Sequence, residues 1–372
     1  LFRLCTIAVK IKQIHAGKRG NCLNQKPFFT LVIVLTTISG WAHYFTESAG
    51  LQFVTTSAAI IMLAGLLGKA TESVAHYAGE RVGGFLNATF GNAAELIIAI
   101  FLLKEGLFDM VKASITGSII GNLLLVLGLS VIAGGLKFKE QRFNPLLAGH
   151  NSSLMLLAVI ALFIPAVFLK QLHEERTITL SLIISGLLIV AYILWLLFSM
   201  ITHKEELADQ AAEEEAETGH MWSKGFSIIL LIVATVFVAI TSEWLVHSIE
   251  EVAHNLGWSE IFVGAFVIAI VGNAAEHSAA VFLAMKNKIG ASVEIAVGSS
   301  LQIALFVAPT LVFVSLLFGK PMDLVFTSYE LAAIGVGAFI ASSISRDGST
   351  NWYEGVLLVV VYIILGAAFY FL

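Results

Sequence analysis

Residues 87–100 read NATFGNAAELIIAI and residues 268–281 read IAIVGNAAEHSAAV, so Gly91-Asn92-Ala93-Ala94-Glu95 returns as Gly272-Asn273-Ala274-Ala275-Glu276. The shift that carries Gly91 onto Gly272 also carries Gly117-Ser118 onto Gly298-Ser299. Upstream of each motif, Thr71-Glu72 with His76 one helical turn after the acid is matched by Ser242-Glu243 with His247. The stretch from Glu72 to Glu95 is shorter than that from Glu243 to Glu276, so one connection differs in length. Three matches in one order make the chain a duplicated unit.

The sequence around the motifs is apolar. Of 372 residues, 58% are hydrophobic and 13% charged, where a soluble domain carries about 25% charged residues. That excludes an ordinary soluble enzyme and a disordered chain. Five Pro and two Cys, Cys5 and Cys22 near the start, exclude collagen-like and disulfide-framed chains. A net charge of −5 argues against nucleic acid as a partner.

A bilayer core needs about 20 apolar residues per helix. Eleven such windows occur, at 28–46, 50–70, 82–103, 112–136, 146–169, 177–201, 224–247, 259–285, 290–318, 323–345 and 352–371. They lack the alternation of a membrane barrel, so the expected fold is an all-α membrane protein. Residues 1–27 read as a basic leader of vector-derived or atypical upstream origin, and 28–49 as an extra transmembrane helix. Residues 50–202 hold a first five-helix repeat, 203–223 a cytoplasmic acidic linker helix, and 224–372 a second five-helix repeat. Five is odd, so the halves enter the membrane in opposite orientations, the inverted-repeat plan of secondary transporters. With a cytoplasmic N-terminus, 16 of the 21 Lys and Arg fall on the cytoplasmic side. The chain is expected to be a multi-pass membrane protein, and a homo-oligomer is compatible with the sequence.

A carboxylate in mid-membrane costs at least about 2.5–3.5 kcal/mol. Two at matching places in two halves need a reason beyond pinning helices. Asn92 and Asn273 lie three positions before Glu95 and Glu276, on the same helical face, and Gly91 and Gly272 mark places where a helix can loosen and present carbonyls. This hard-oxygen set suits Ca²⁺ better than Mg²⁺ or a thiolate-seeking metal. Ca²⁺ is then a transported substrate, and no cofactor is expected. Once the cation leaves, two adjacent carboxylates repel and take up protons, so metal-loaded and proton-loaded states exclude one another. Ser118 with Asn122, and Ser299 with Gln302, offer further oxygens, although small polar residues also join helices.

Glu72 with His76 and Glu243 with His247 sit near expected helix ends, as a second carboxylate pair or proton relay, or as plain interfacial residues. His277 is a relay candidate or a helix-packing donor. Glu294 and Glu330 have no counterpart in the repeat and rank lower. The stretch HKEELADQAAEEEAET at 203–218 reads as a solvated helix, with divalent-cation sensing as a weaker reading.

The doubled GNxxE, the Gly-Ser elements, ATESVAHYAGE at 70–80 and the acidic stretch between the halves resemble the microbial Ca²⁺/H⁺ exchangers (CAX family) of the cation/Ca²⁺ exchanger superfamily. The resemblance covers roughly 28–372. It implies eleven transmembrane helices, an inverted repeat of five plus five, alternating access, and Ca²⁺ and H⁺ exchanged at Glu95 and Glu276. Many members have Pro where this chain has Ala94 and Ala275, so a helix break here must rest on glycine and packing. The nearest alternative is a Na⁺-coupled Ca²⁺ exchanger on the same fold, followed by a cation channel. An intramembrane enzyme is distant, since no His-Glu-x-x-His, Gly-x-Ser-x-Gly or Walker sequence occurs.

Overall fold

The computed structural model describes residues 26–168, 174–207 and 222–372. Its helices are α1 (Lys26–Phe45), α2 (Ala49–Ala78), α3 (Glu80–Phe90), α4 (Ala93–Glu105), α5 (Phe108–Phe138), α6 (Pro145–Phe168), α7 (Glu175–Thr202), α8 (Lys224–Leu256), α9 (Glu260–Ala284), α10 (Ile289–Leu317), α11 (Ser328–Asp347) and α12 (Trp352–Tyr370). Ten are long and apolar enough to cross a membrane. The third expected window, 82–103, is instead the pair α3 and α4, of 11 and 13 residues. Most of the acidic linker lies outside the described residues, which retain of it only His203, a turn of helix at Lys204–Leu207 and the two residues before α8.

The boundaries follow local chemistry. Gly79 and Gly106, at φ 80° and 91°, end α2 and α4 in conformations that a side chain disfavours. Capping boxes start α11 (Thr327 with Glu330) and α12 (Asn351 with Glu354), satisfying first-turn N–H groups. Both α2 and α8 run about two turns past their apolar windows, and in α2 the polar residues there find partners at the start of α8. The Ser73 and Ser227 hydroxyls pair at 2.7 Å, and Tyr77 donates to the Trp222 carbonyl at 2.8 Å.

The duplication is visible in the element order: α2 to α7 and α8 to α12 are successive units, with α1 outside them. Helices α5 and α10, which carry the Gly-Ser elements, form the centre, 72% and 67% of their apolar windows being buried against 17% for α1. Each carries a π-turn just beyond its Gly-Ser element, at Gly121–Val126 and Ile303–Val307. Small residues let the central helices approach their neighbours. A Cβ at Gly117 would run into the Ala265 carbonyl of α9, and one at Gly128 would lie 2.9 Å from the Gly355 carbonyl of α12.

Polar contacts gather at two opposite ends of the bundle. At one, strands β1 (Glu140–Arg142) and β2 (Ser349–Asn351) pair antiparallel, Glu140 facing Asn351. At the other, Lys320 Nζ donates to the Lys104 carbonyl at 3.2 Å, and Lys112 pairs with Asp323 at 2.5 Å.

Candidate functional site

The two copies of the pentapeptide fold differently. At Gly91-Asn92 the chain turns: Gly91 N still donates to Asn87 O, then Leu96 N donates to Asn92 O and α4 begins. Glu95 therefore sits in the first turn of α4. That helix N-terminus, with its partial positive charge, lies within the bundle and favours an anion. At Gly272 no break occurs, contrary to the expectation of two loosened glycines, and α9 runs through it. The aliphatic stem of Glu95 and Ile98 close over Gly272, with Glu95 Cγ 3.1 Å from where a Cβ would be. Backbone loosening in α9 falls earlier, in the π-turn Val263–Ile268.

The motifs interlock reciprocally. Glu95 covers Gly272, while a Cβ at Gly91 would lie 3.8 Å from Glu276 Oε1 and 3.5 Å from Gln302 Oε1. The two glutamates thus meet where the halves cross.

The amides between them are oriented by their donors. Asn273 Nδ2 donates to Ser118 Oγ at 3.0 Å and to Ala269 O at 3.1 Å, and Asn92 Nδ2 reaches Ser299 O at 3.5 Å. Asn92 stands at the α4 N-cap yet does not use its side chain there. Both Oδ1 atoms are buried and unpartnered. An unsatisfied buried acceptor costs about 1–3 kcal/mol. Ser299 Oγ donates to Glu276 Oε2 at 2.7 Å, and His277 Nε2–H donates to Asn122 Oδ1 at 3.2 Å. Gln302 Nε2 and Asn122 Nδ2 are also buried without partners. Among the described residues no three His, Cys, Asp or Glu side chains cluster, so neutral oxygens must complete any cation set built on the glutamates.

The second acidic pair does not assemble. Glu72, His76, Glu243 and His247 are exposed. Ser73 meets Ser227, and Glu243 lies sixteen positions further along α8, about 24 Å at 1.5 Å per residue. Glu72 and Glu243 therefore stand toward opposite ends of the bundle and cannot share an ion. Nor is Glu243 near a helix end, since α8 continues to Leu256. Its partner is Lys104, at 3.4 Å, an exposed contact worth about 0–1 kcal/mol. Glu330 is a capping residue, with Oε2 accepting from Thr327 N at 2.8 Å. Reading by residue type missed the N-terminus of α4; Asn92 and Glu95 at capping-box spacing were the available signal, but Asn273 and Glu276 repeat that spacing inside an unbroken helix.

Two interlocked helical units, with carboxylates where they cross, define the inverted-repeat class of membrane transporters. The chain belongs to the sodium/calcium exchanger protein family, whose model matches residues 48–201 and 226–371. It is 47% identical over 350 residues to the Ca²⁺/H⁺ antiporter ChaA of Bacillus subtilis (strain 168), covering 93% of this chain and 99% of that one. It is 45% identical over 370 residues to the Ca²⁺/H⁺ antiporter of Aphanothece halophytica, covering 94% and 98%. Among solved structures, native YfkE superimposes with a TM-score of 0.82 at 44% identity, covering 93% of this chain and all of that one. The H⁺/Ca²⁺ exchanger CAX shares the fold, with a TM-score of 0.72 at 14% identity over 93% and 92% of the two chains.

Proposed function

We propose that the protein exchanges Ca²⁺ for H⁺ by alternating access, with Glu95 and Glu276 holding the two ions in turn. The observation that carries this reading is the reciprocal seating of each motif glutamate over the other motif's glycine, beside two unpartnered amide oxygens. Two carboxylates, Asn92 Oδ1, Asn273 Oδ1 and the oxygens of Gln302 and Ser299 form an all-oxygen set of the kind Ca²⁺ takes. The same set serves the proton-loaded state. A protonated glutamate becomes an O–H donor, and an Asn Oδ1 can accept from it, so no group is stranded when the cation leaves. Names of the close relatives support the coupling to protons.

The wider placement is part of the proposal. Helices α3 and α4 together are the eleventh crossing, since Tyr77 keeps company with Trp222 while Glu105 keeps company with Lys320. The end bearing β1 and β2 is cytoplasmic, because Lys137, Arg142, Lys286, Lys288 and Arg346 lie on it. Glu72 with His76 then stands toward the inner mouth and Glu243 with His247 toward the outer one. A transporter reading leaves no role for substrate hydrolysis, and the chain is no enzyme in this account.

The direct test is Ca²⁺ uptake into sealed proteoliposomes under an imposed pH gradient without Na⁺. Uptake is expected to require the gradient, and uptake that appears only when Na⁺ replaces it would establish the sodium-coupled alternative. A further expectation concerns the amides. Asn92→Ala and Asn273→Ala each remove an oxygen facing the cation, a contact to a charged group worth about 1.5–3 kcal/mol. The half-saturating Ca²⁺ concentration should rise about tenfold or more in each, measured as initial rates over a Ca²⁺ series. An unchanged value in both would remove the amides from the site.

A further inference from the structure

Glu294 is exposed on the second turn of α10, a helix long and apolar enough to cross a membrane. An acid at such a place is costly against lipid and is retained where it lines a water-filled path. One turn further along α10 is Gly298, where an added Cβ would meet nothing within 4 Å. One more turn brings Gln302, whose Oε1 stands beside Gly91 and Glu276. Residues spaced by four stay on one slowly winding column of a helix, so Glu294, Gly298 and Gln302 trace a line of about 12 Å. That line starts near the inner end of α10, where Asn144 and Asn151 of the α6 region share a crevice with Glu294. It ends at the site.

The repeat supplies a contrast. The shift that sets Glu276 on Glu95 sets Glu294 on Ala113 of α5, which is fully buried. A Cβ added at Gly264 of α9 would press on it. The equivalent position on α5 therefore has neither the acid nor the space.

We propose that Glu294 is a docking carboxylate for the divalent cation on the inner path, holding it on the way to or from Glu276 across the gap left by Gly298. The proposal rests on Glu95 and Glu276 being the ion site. It makes the two paths asymmetric: α10 carries a carboxylate on the inner path where its repeat counterpart on α5 carries Ala113.

The test is sided kinetics. Everted vesicles present the inner face to the bath and right-side-out vesicles the outer face. In everted vesicles Glu294→Gln should raise the half-saturating Ca²⁺ concentration about tenfold, as loss of one unit charge near a divalent ion predicts. The maximal rate should stay within about twofold, the increase should shrink at high ionic strength, and Glu294→Asp should restore most of the affinity. Right-side-out vesicles should show no change. A differential below about threefold between the two orientations, or a loss that Asp does not rescue, overturns the proposal. A second measurement needs no transport: in a Cys5→Ser, Cys22→Ser background, Glu294→Cys should react with a membrane-impermeant maleimide from the inner face only. Failure to react from that face also overturns it. Failure of the site itself reads differently, as Glu95→Gln and Glu276→Gln leaving uptake intact in both orientations.

Discussion

Glu95→Gln and Glu276→Gln should each lower pH-gradient-driven Ca²⁺ uptake at least about a hundredfold, the largest effect expected of any single change in this chain. A carboxylate about 4 Å from a unit charge contributes about 4 kcal/mol at an effective dielectric of 20, and more toward a divalent ion. A hundredfold loss needs only about 2.7 kcal/mol, so partial compensation by water or by the remaining glutamate does not rescue the variant. Gln also cannot take a proton, so both halves of the cycle fail at once. The two variants should fail equally although their surroundings differ. Glu95 is held by the start of α4, whereas Glu276 takes a hydrogen bond from Ser299. Initial rates in proteoliposomes, with insertion checked by protein content, decide the matter, and either variant keeping more than about a tenth of the wild-type rate would contradict the paired site.

Gly117→Val should be the most damaging change away from the ions. A Cβ at this position meets the Ala265 backbone carbonyl of α9, which cannot rotate away as a side chain can. Overpacking typically costs about 1–3 kcal/mol, and a backbone neighbour puts this case at the upper end. The thermal midpoint in detergent should fall by about 5 °C. Gly149→Val is the matched control: nothing lies within 4 Å of a Cβ there, and its midpoint should stay within about 1 °C. Equal shifts in the two variants would mean that the α5 and α9 crossing is looser than the contact distances imply.

The doubled motif made the architecture legible, because the duplication itself marks two units whose motifs meet. The meeting of Glu95 with Glu276 followed from the same reasoning. Which glycine breaks its helix did not. Both motifs carry the same five residues, and the difference lies in what covers them: Glu95 closes over Gly272, whereas the chain turns at Gly91 and opens α4. Hydropathy ended α2 too early for a related reason, since Ser73, beyond its apolar window, is polar in sequence but satisfied by Ser227 across the two halves. Glu243 read as one of a pair with Glu72, whereas its partner is Lys104, far back in the first half. Such pairings belong to tertiary packing and leave no periodic trace in a single chain.

The small ladder of β1 and β2 has its consequence during synthesis. Glu140 cannot pair until Asn351, more than half the chain later, has left the ribosome. At about 5–20 residues per second that interval is roughly 10–40 seconds. Throughout it the β1 edge stays open at the membrane surface, and the Gly128 face of α5 waits for Gly355 of α12. The final helix is thus the fastener of the first half as well as the end of the second. A chain stopped after α11 keeps every ion-binding residue discussed above, yet leaves its central helix uncovered and presents that vacancy to the cell's proteases.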